Sequence, residues 1–241
     1  MSPRWPPILM YHAVADLADD PNMLCTSPER FEAQMRYLKQ RNLRGVAMRE
    51  LLPVIRAGNA GGLVALTFDD GYEDFLHTAV PMLRRFGFTA TVFVVAGMLG
   101  GRSDWRHAYD PRPRMKLLGT QDLHEVIKHG MEVGSHSMTH TDLAALDPET
   151  LDQEVAGSRR VLGELLGQEV KGFCYPYGSL DGEAAAATQR AGYAYACGWR
   201  GSEVEVHDLP RIPISQKDNL LRFAAKLKVY RQYSAIKSLR Q

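Results

Sequence analysis

Two acidic residues in succession, Asp69-Asp70, close the apolar run Val64-Ala-Leu-Thr-Phe68, and Gly71 follows them. Side chains alternate along a strand, so neighbouring carboxylates share one site only where the strand breaks into a turn. Gly71 supplies that break. Two adjacent carboxylates are costly to bury unless a positive charge lies beside them. A plain Asp-Gly turn with a solvated acidic pair accounts for the same residues. Further on, His136-Ser-Met-Thr-His140 follows Glu132-Val-Gly-Ser135. Histidines at i and i+4 share one side if the segment takes a helical turn, and both imidazoles then reach one ion. Surface or helix-capping histidines give the same spacing. Taken together, one carboxylate and two imidazoles form a divalent-metal triad with positions open to water and substrate. The second carboxylate is then free to act as a base.

The elements that must position these groups alternate along the chain. Strand-like runs cover 64–68, 89–95, 132–136, 171–175, 193–198 and 209–214. Helical patterns cover about 74–86, with Pro81 bending the helix or marking its effective start, and then 121–128 and 183–191. The clearest helix starts at Asp147-Pro148, a cap followed by proline, and carries Leu151, Val155, Ser158, Leu162 and Leu165 along one side. Repeated strand–helix alternation predicts an α/β fold with a mainly parallel sheet, open or barrel-like. Ligands in such folds bind at the carboxyl ends of strands. Asp69-Asp70, the histidine pair and Tyr175-Pro-Tyr-Gly178 all fall at such ends. The longest irregular stretch, from Gly97 to about Met115, carries Trp105.

Composition narrows the classes. The 29 Lys+Arg against 28 Asp+Glu leave a net charge of +1, so no global basic field attracts nucleic acid. Cys25, Cys174 and Cys197 have no CxxC spacing, which argues against a disulfide framework and a Cys-rich zinc site. The opening Met1–Val14 lacks the long apolar region of a secretory leader, and no run reaches the roughly 18–20 apolar residues of a membrane span. A cytoplasmic chain is the expectation. The tail, about 218–241, reads as a basic helix: six Lys/Arg and no acid follow Leu220, with Leu220, Phe223, Leu227 and Tyr230 at helical spacing. Such a helix either docks on the body or makes weak contact with an anionic membrane surface.

LTFDDGY, SHSMTH and YPYG, in this order, resemble the polysaccharide deacetylases with a NodB homology domain, carbohydrate esterase family 4. The resemblance runs from about Ile8 to Ile214. It implies an irregular (β/α)7-type barrel, with residues 1–241 as a single domain. It also implies a metal-dependent hydrolase that removes the acetyl group from an N-acetylated saccharide or glycosylated precursor. On this resemblance Asp69 is the general base, Asp70, His136 and His140 hold the metal, and the backbone N–H of Tyr177 stabilises the oxyanion. The donor set suits Zn²⁺, and Co²⁺, Ni²⁺ or Fe²⁺ fit it too.

The sequence departs from the family pattern twice. No histidine follows His207, so the C-terminal Leu-x-Ile-x-x-His motif is missing. Ile8-Leu-Met-Tyr-His12 resembles the Met-Tyr-His segment that opens the circularly permuted branch with the poly-N-acetylglucosamine deacetylases, which implies that His12 is the general acid. A histidine packed at a strand end is the other reading. Cys174 stands where the family's Arg-x-Pro-Tyr motif has the arginine that holds the base, and a thiol cannot form a bidentate ion pair. Arg211 is the candidate substitute; otherwise it is a strand-end arginine near the surface. Trp105 either stacks on a sugar or is buried. Tyr177 lines the acetyl pocket or belongs to the core, and Tyr175 is a candidate for binding or orienting substrate. Two other functions stay open: a catalytically silent carbohydrate-binding relative, and a hydrolase of a non-sugar amide or cyclic imide.

Overall fold

Short strands buried on both faces dictate the architecture. The structure, a computed structural model, describes residues 6–57, 61–105, 114–199 and 206–237. In chain order the strands are β1 (Ile8–Tyr11), β2 (Arg44–Val46), β3 (Leu63–Phe68), β4 (Thr91–Val94), β5 (Glu132–Ser135), β6 (Gly172–Cys174), β7 (Tyr195–Cys197) and β8 (Ile212–Pro213). All their pairings are parallel. Seven of them follow the path β7-β6-β5-β4-β3-β1-β8, and β2 pairs with the first half of β3. The stretch 209–214 links the two edges. Leu209 bridges to Cys197, whereas Ile212 pairs with Leu9. The sheet therefore curls into an irregular α/β barrel, as the sequence predicts.

Period-two alternation sorts each strand between two cores. Ile8, Ala65, Phe93, Cys174, Tyr195 and Leu209 pack together inside the barrel with Met48, Leu51, Leu52 and Ile55 of helix α2 (Met48–Arg56). The alternate residues, among them Leu9, Tyr11, Leu66, Phe68, Val92 and Phe173, face the surrounding helices. These are α1 (Pro28–Gln40), α3 (Val80–Phe86), α4 (Thr120–Lys128), α5 (Pro148–Asp152), α6 (Ser158–Leu166), α7 (Gly182–Arg190) and α8 (Leu220–Lys237). The same alternation carries His12, Asp69 and His136 onto the inner side just past the ends of their strands.

Local chemistry explains two element boundaries. Asp147 caps α5 by accepting from the N–H groups of Glu149 and Thr150. The predicted helix over 74–86 divides into a wide π turn, Phe75–Ala79, and then α3, with Pro81 in the first turn of α3. The wider turn accommodates the proline, which has no N–H to donate. Helix α8 docks on the body through Phe223 and Leu227, both buried, and Phe223 meets the Tyr37 ring edge-on at 5.9 Å. Burying two such side chains stabilises the docked helix by about 3–6 kcal/mol. Among the described residues, no helix is long and apolar enough to cross a membrane.

Candidate active site

The turn after β3 is built by two left-handed residues in a row, Asp70 (φ 71°) and Gly71 (φ 74°). A side chain at Gly71 would bring a Cβ within 2.8 Å of Val94, so only glycine fits there. The reversal points Asp69 and Asp70 into the same cavity, toward different partners. Asp70 Oδ1 lies 3.4 Å from His136 Nε2 and 3.2 Å from His140 Nε2. The histidine segment does not form a helical turn. It is a loop in which Ser137 (φ 67°) and His140 (φ 62°) adopt the left-handed conformation, and this brings both rings onto Asp70.

Each ring is oriented through its other nitrogen. His136 Nδ1 is 2.8 Å from the Cys174 carbonyl oxygen, and His140 Nδ1 is 3.0 Å from the Tyr177 hydroxyl. With Nδ1 as the donor, Nε2 can offer its lone pair to an ion beside Asp70, the arrangement seen in metal-ligating histidines, and when protonated it donates to the Asp70 carboxylate instead. Asp70, His136 and His140 could hold a divalent ion. Asp69, His136 and Cys174 form a second cluster of potential ligands, with ligand atoms within 4.8 Å of one another. That second set fits an ion poorly, because the Asp69 carboxylate is already engaged by a guanidinium.

That guanidinium belongs to Arg211. Nη1 donates to Asp69 Oδ1 at 2.6 Å and Nη2 to Oδ2 at 2.7 Å, a bidentate pair buried at the cavity floor. Its remaining donors reach Thr67 Oγ1 at 3.1 Å, the Gly198 carbonyl oxygen at 3.0 Å and Cys174 Sγ at 3.0 Å. All five N–H groups are thus satisfied, and the fork is fixed. Cys174 Sγ stands directly beside this cation. Arg211 is a buried partner of Asp69, not a surface residue.

His12 brings Nε2 to 4.0 Å from Asp69 Oδ2. Burial pushes its imidazole below the usual histidine range, outweighing the opposing pull of Asp70 and Asp69. For Asp69, burial pushes upward, but the charge and hydrogen bonds of Arg211, with help from His136 and His12, together pull it further down, so the carboxyl sits below its ordinary range. Burial also opposes ionisation of Asp70, but hydrogen bonds with His136 and His140 hold it well below the usual carboxylate range.

These groups share a cavity of about 740 Å³, also lined by Met10, Met23, Leu24, Tyr177, Trp199 and Ile214. Tyr177 adopts φ 60° and stays 38% exposed at the rim, so it is not a core residue. Tyr175 is buried along the wall, with its hydroxyl donating to the His207 carbonyl oxygen at 2.8 Å and 3.0 Å from Thr188 Oγ1. Trp105 does not line the cavity. It is buried, with its ring stacked on His140 at 4.3 Å and 23°. The exposed tryptophan at the mouth is Trp199, which no motif marks.

Residues 57–196, more than half of the chain, match the polysaccharide deacetylase family. The chain belongs to that family. It is 27% identical over 189 residues to a Bacillus subtilis protein named as a polysaccharide deacetylase, covering 78% of this chain and 62% of that one. It is 24% identical over 203 residues to a Staphylococcus aureus poly-beta-1,6-N-acetyl-D-glucosamine N-deacetylase, covering 78% and 67%. The chain therefore spans about two thirds of the length of these curated relatives. A Streptococcus pyogenes deacetylase solved with acetate shares the fold, with TM-score 0.80, 23% identity, and 92% of this chain and 97% of that chain covered. A Bacillus cereus polysaccharide deacetylase superposes with TM-score 0.76 at 25% identity, over 92% of this chain and 68% of that one.

Proposed function

We propose that the chain is a metal-dependent hydrolase that removes the acetyl group from an N-acetylated sugar. The observation that carries this reading is the Asp69 carboxylate, fixed by Arg211 and next to His12, in one cavity with the Asp70–His136–His140 triad. Family membership and the named activity of the Staphylococcus aureus relative support it. A divalent ion on that triad, Zn²⁺ by its two imidazoles and one carboxylate, would supply Lewis acidity toward the acetyl carbonyl and make water more acidic.

The chain's own groups handle the protons. Asp69 takes one from the attacking water. Because Arg211 holds it ionised below the usual range, it is a weak base and needs an acidified water. The backbone N–H of Tyr177 holds the developing oxyanion. The amine cannot leave as an anion, so His12 delivers a proton to the nitrogen. Its lowered pKa makes it a ready donor once protonated, and at 4.0 Å from Asp69 one bridging water carries that proton between the two. One water thus contributes OH to the acetyl carbon and H to nitrogen. Trp199 and Tyr177 at the cavity mouth offer aromatic faces for a sugar ring.

Arg211 removes the motive for a catalytically silent relative, since the base keeps an arginine partner despite Cys174. The test is hydrolysis by Zn²⁺-reconstituted protein across short N-acetylglucosamine oligomers, N-acetylated glycoside precursors, and non-sugar amides and cyclic imides, with acetate release read on the acetylated compounds. Turnover of at least one of the N-acetylated sugars is expected. Stoichiometric metal without turnover on any would overturn the reading in favour of carbohydrate binding. Hydrolysis confined to non-sugar amides or imides would overturn the sugar assignment.

A further inference from the structure

The two histidines are connected by a loop that must keep two residues in the left-handed conformation. Unsupported, such a backbone relaxes, because Ser137 and His140 carry a Cβ. The loop is gripped from two sides. On one side, the Ala96 and Gly97 N–H groups, just past β4, donate to the carbonyl oxygens of Ser137 and Met138 at 3.0 and 2.9 Å. A Cβ at position 97 would come within 2.6 Å of that Met138 oxygen, so the approach is close.

On the other side stands a single carboxylate. Glu154 Oε2 accepts from the backbone N–H groups of Met138 and Thr139, both at 2.9 Å, and Oε1 accepts from the Thr139 hydroxyl at 2.6 Å. Glu154 is buried and sits on a π turn, Gln153–Gly157, inserted between α5 and α6. The Met138 and Thr139 amides, two of the three between the histidines, are therefore satisfied by one side chain 15 to 16 positions further on. The bonds are charge-assisted, so they are stronger than neutral ones.

We propose that Glu154 is the positioning residue of the metal-ligand loop: it sets the separation and aim of His136 and His140 without touching the ion or the substrate. The inference rests on the reading of those histidines as ligands.

The test measures Zn²⁺ affinity by competition with a chromophoric chelator, the Co²⁺ absorption spectrum, and hydrogen exchange of the Met138 and Thr139 amides in metal-free protein. Glu154→Ala is expected to weaken Zn²⁺ binding by about 10–100-fold, the range for outer partners of metal ligands. It should also alter the Co²⁺ spectrum and accelerate exchange of both amides. Glu154→Gln keeps an oxygen for the two N–H groups and an amide donor for the Thr139 oxygen, so it should restore most of the affinity and the spectrum. Should Glu154→Ala fail to fold, Thr139→Val removes only the hydroxyl contact and should cost several-fold. Folded Glu154→Ala with wild-type affinity and exchange would overturn the proposal. So would equal losses in the Gln and Ala variants, which would point to charge alone. Wild-type protein that binds no Zn²⁺ would sink the metal reading itself. The amide exchange, which needs no ion, separates that failure from one of Glu154.

Discussion

Two buried acids at opposite ends of the barrel are solved in opposite ways. At the carboxyl end of β3, Asp69 faces the guanidinium of Arg211 and sits below its usual pKa range. At the amino end of β5, Glu132 faces mainly neutral donors. Its oxygens accept from the Thr91 hydroxyl at 2.7 Å, the Arg49 backbone N–H at 2.8 Å and the Tyr195 hydroxyl at 3.1 Å. Burial there outweighs all of these and pushes the carboxyl up. Glu132 closes the first turn of α2, whose Ala47 cap offers no side-chain acceptor, so it fastens a helix to the barrel floor. The same functional group is structural at one end and chemically poised at the other. The partner decides which, more than the degree of burial.

The largest expected effect comes from removing the partner that makes the difference. Arg211→Met leaves Asp69 buried and unpaired, a change that costs about 3–5 kcal/mol in comparable pairs. It should also lower acetate release at least about a hundredfold, the scale of losing a positioned base. The checks are urea unfolding and a turnover assay. The pair's contribution has a definite pH sign. Because the folded pKa of Asp69 is lowered, that stability is present above the unfolded value of about 3.9 and is lost as pH falls through the folded one. Arg211→Met should lack this acid limb.

Asp74 sharpens the comparison as a third acid. It accepts the Val14 N–H at 2.6 Å, and burial raises its pKa to about 6. A raised folded pKa means the stabilising share is complete below about 3.9 and is lost as pH rises through about 6. Two pKa units correspond to about 3 kcal/mol, so Asp74→Asn should gain up to that much relative to wild type between pH 4 and pH 7. Parallel pH slopes for the two proteins would contradict this. The smallest effect is expected at the floor. Glu132→Gln should change stability at neutral pH by about 1 kcal/mol and leave turnover within a few-fold, as unfolding curves and the acetate assay will show.

The chemistry was legible where it followed strand ends. The Asp-Asp-Gly turn and the histidine segment announce themselves because apolar runs precede them, and alternation fixes which face they take. Arg211 was legible as a candidate partner of Asp69 only through the resemblance and the missing arginine at Cys174, since nothing local links it to a residue 142 positions earlier. The i, i+4 spacing of the histidines fits a helical turn, which the loop does not adopt. Nothing local announces that Ser137 and His140 adopt positive φ under the grip of Glu154. Trp105 and Trp199 are alike in sequence, and only the tertiary fold buries one behind His140 and exposes the other at the mouth. Residues 28–56 carry no reactive motif, so reasoning from chemistry gave α1, β2 and α2 no place, although Ser27-Pro28 and the spacing of Phe31, Met35 and Leu38 encode a capped amphipathic helix.

The most direct measurement compares Asp69→Asn with Asp70→Asn, recording bound Zn²⁺ and acetate release on the same samples. The division of labour between the two neighbouring carboxylates predicts that Asp69→Asn keeps its metal and loses about 10²–10⁴-fold in turnover, as expected for a general base. Asp70→Asn should lose the metal first and turnover with it. Turnover within a few-fold of wild type in Asp69→Asn, or metal loss as severe there as in Asp70→Asn, would contradict the account.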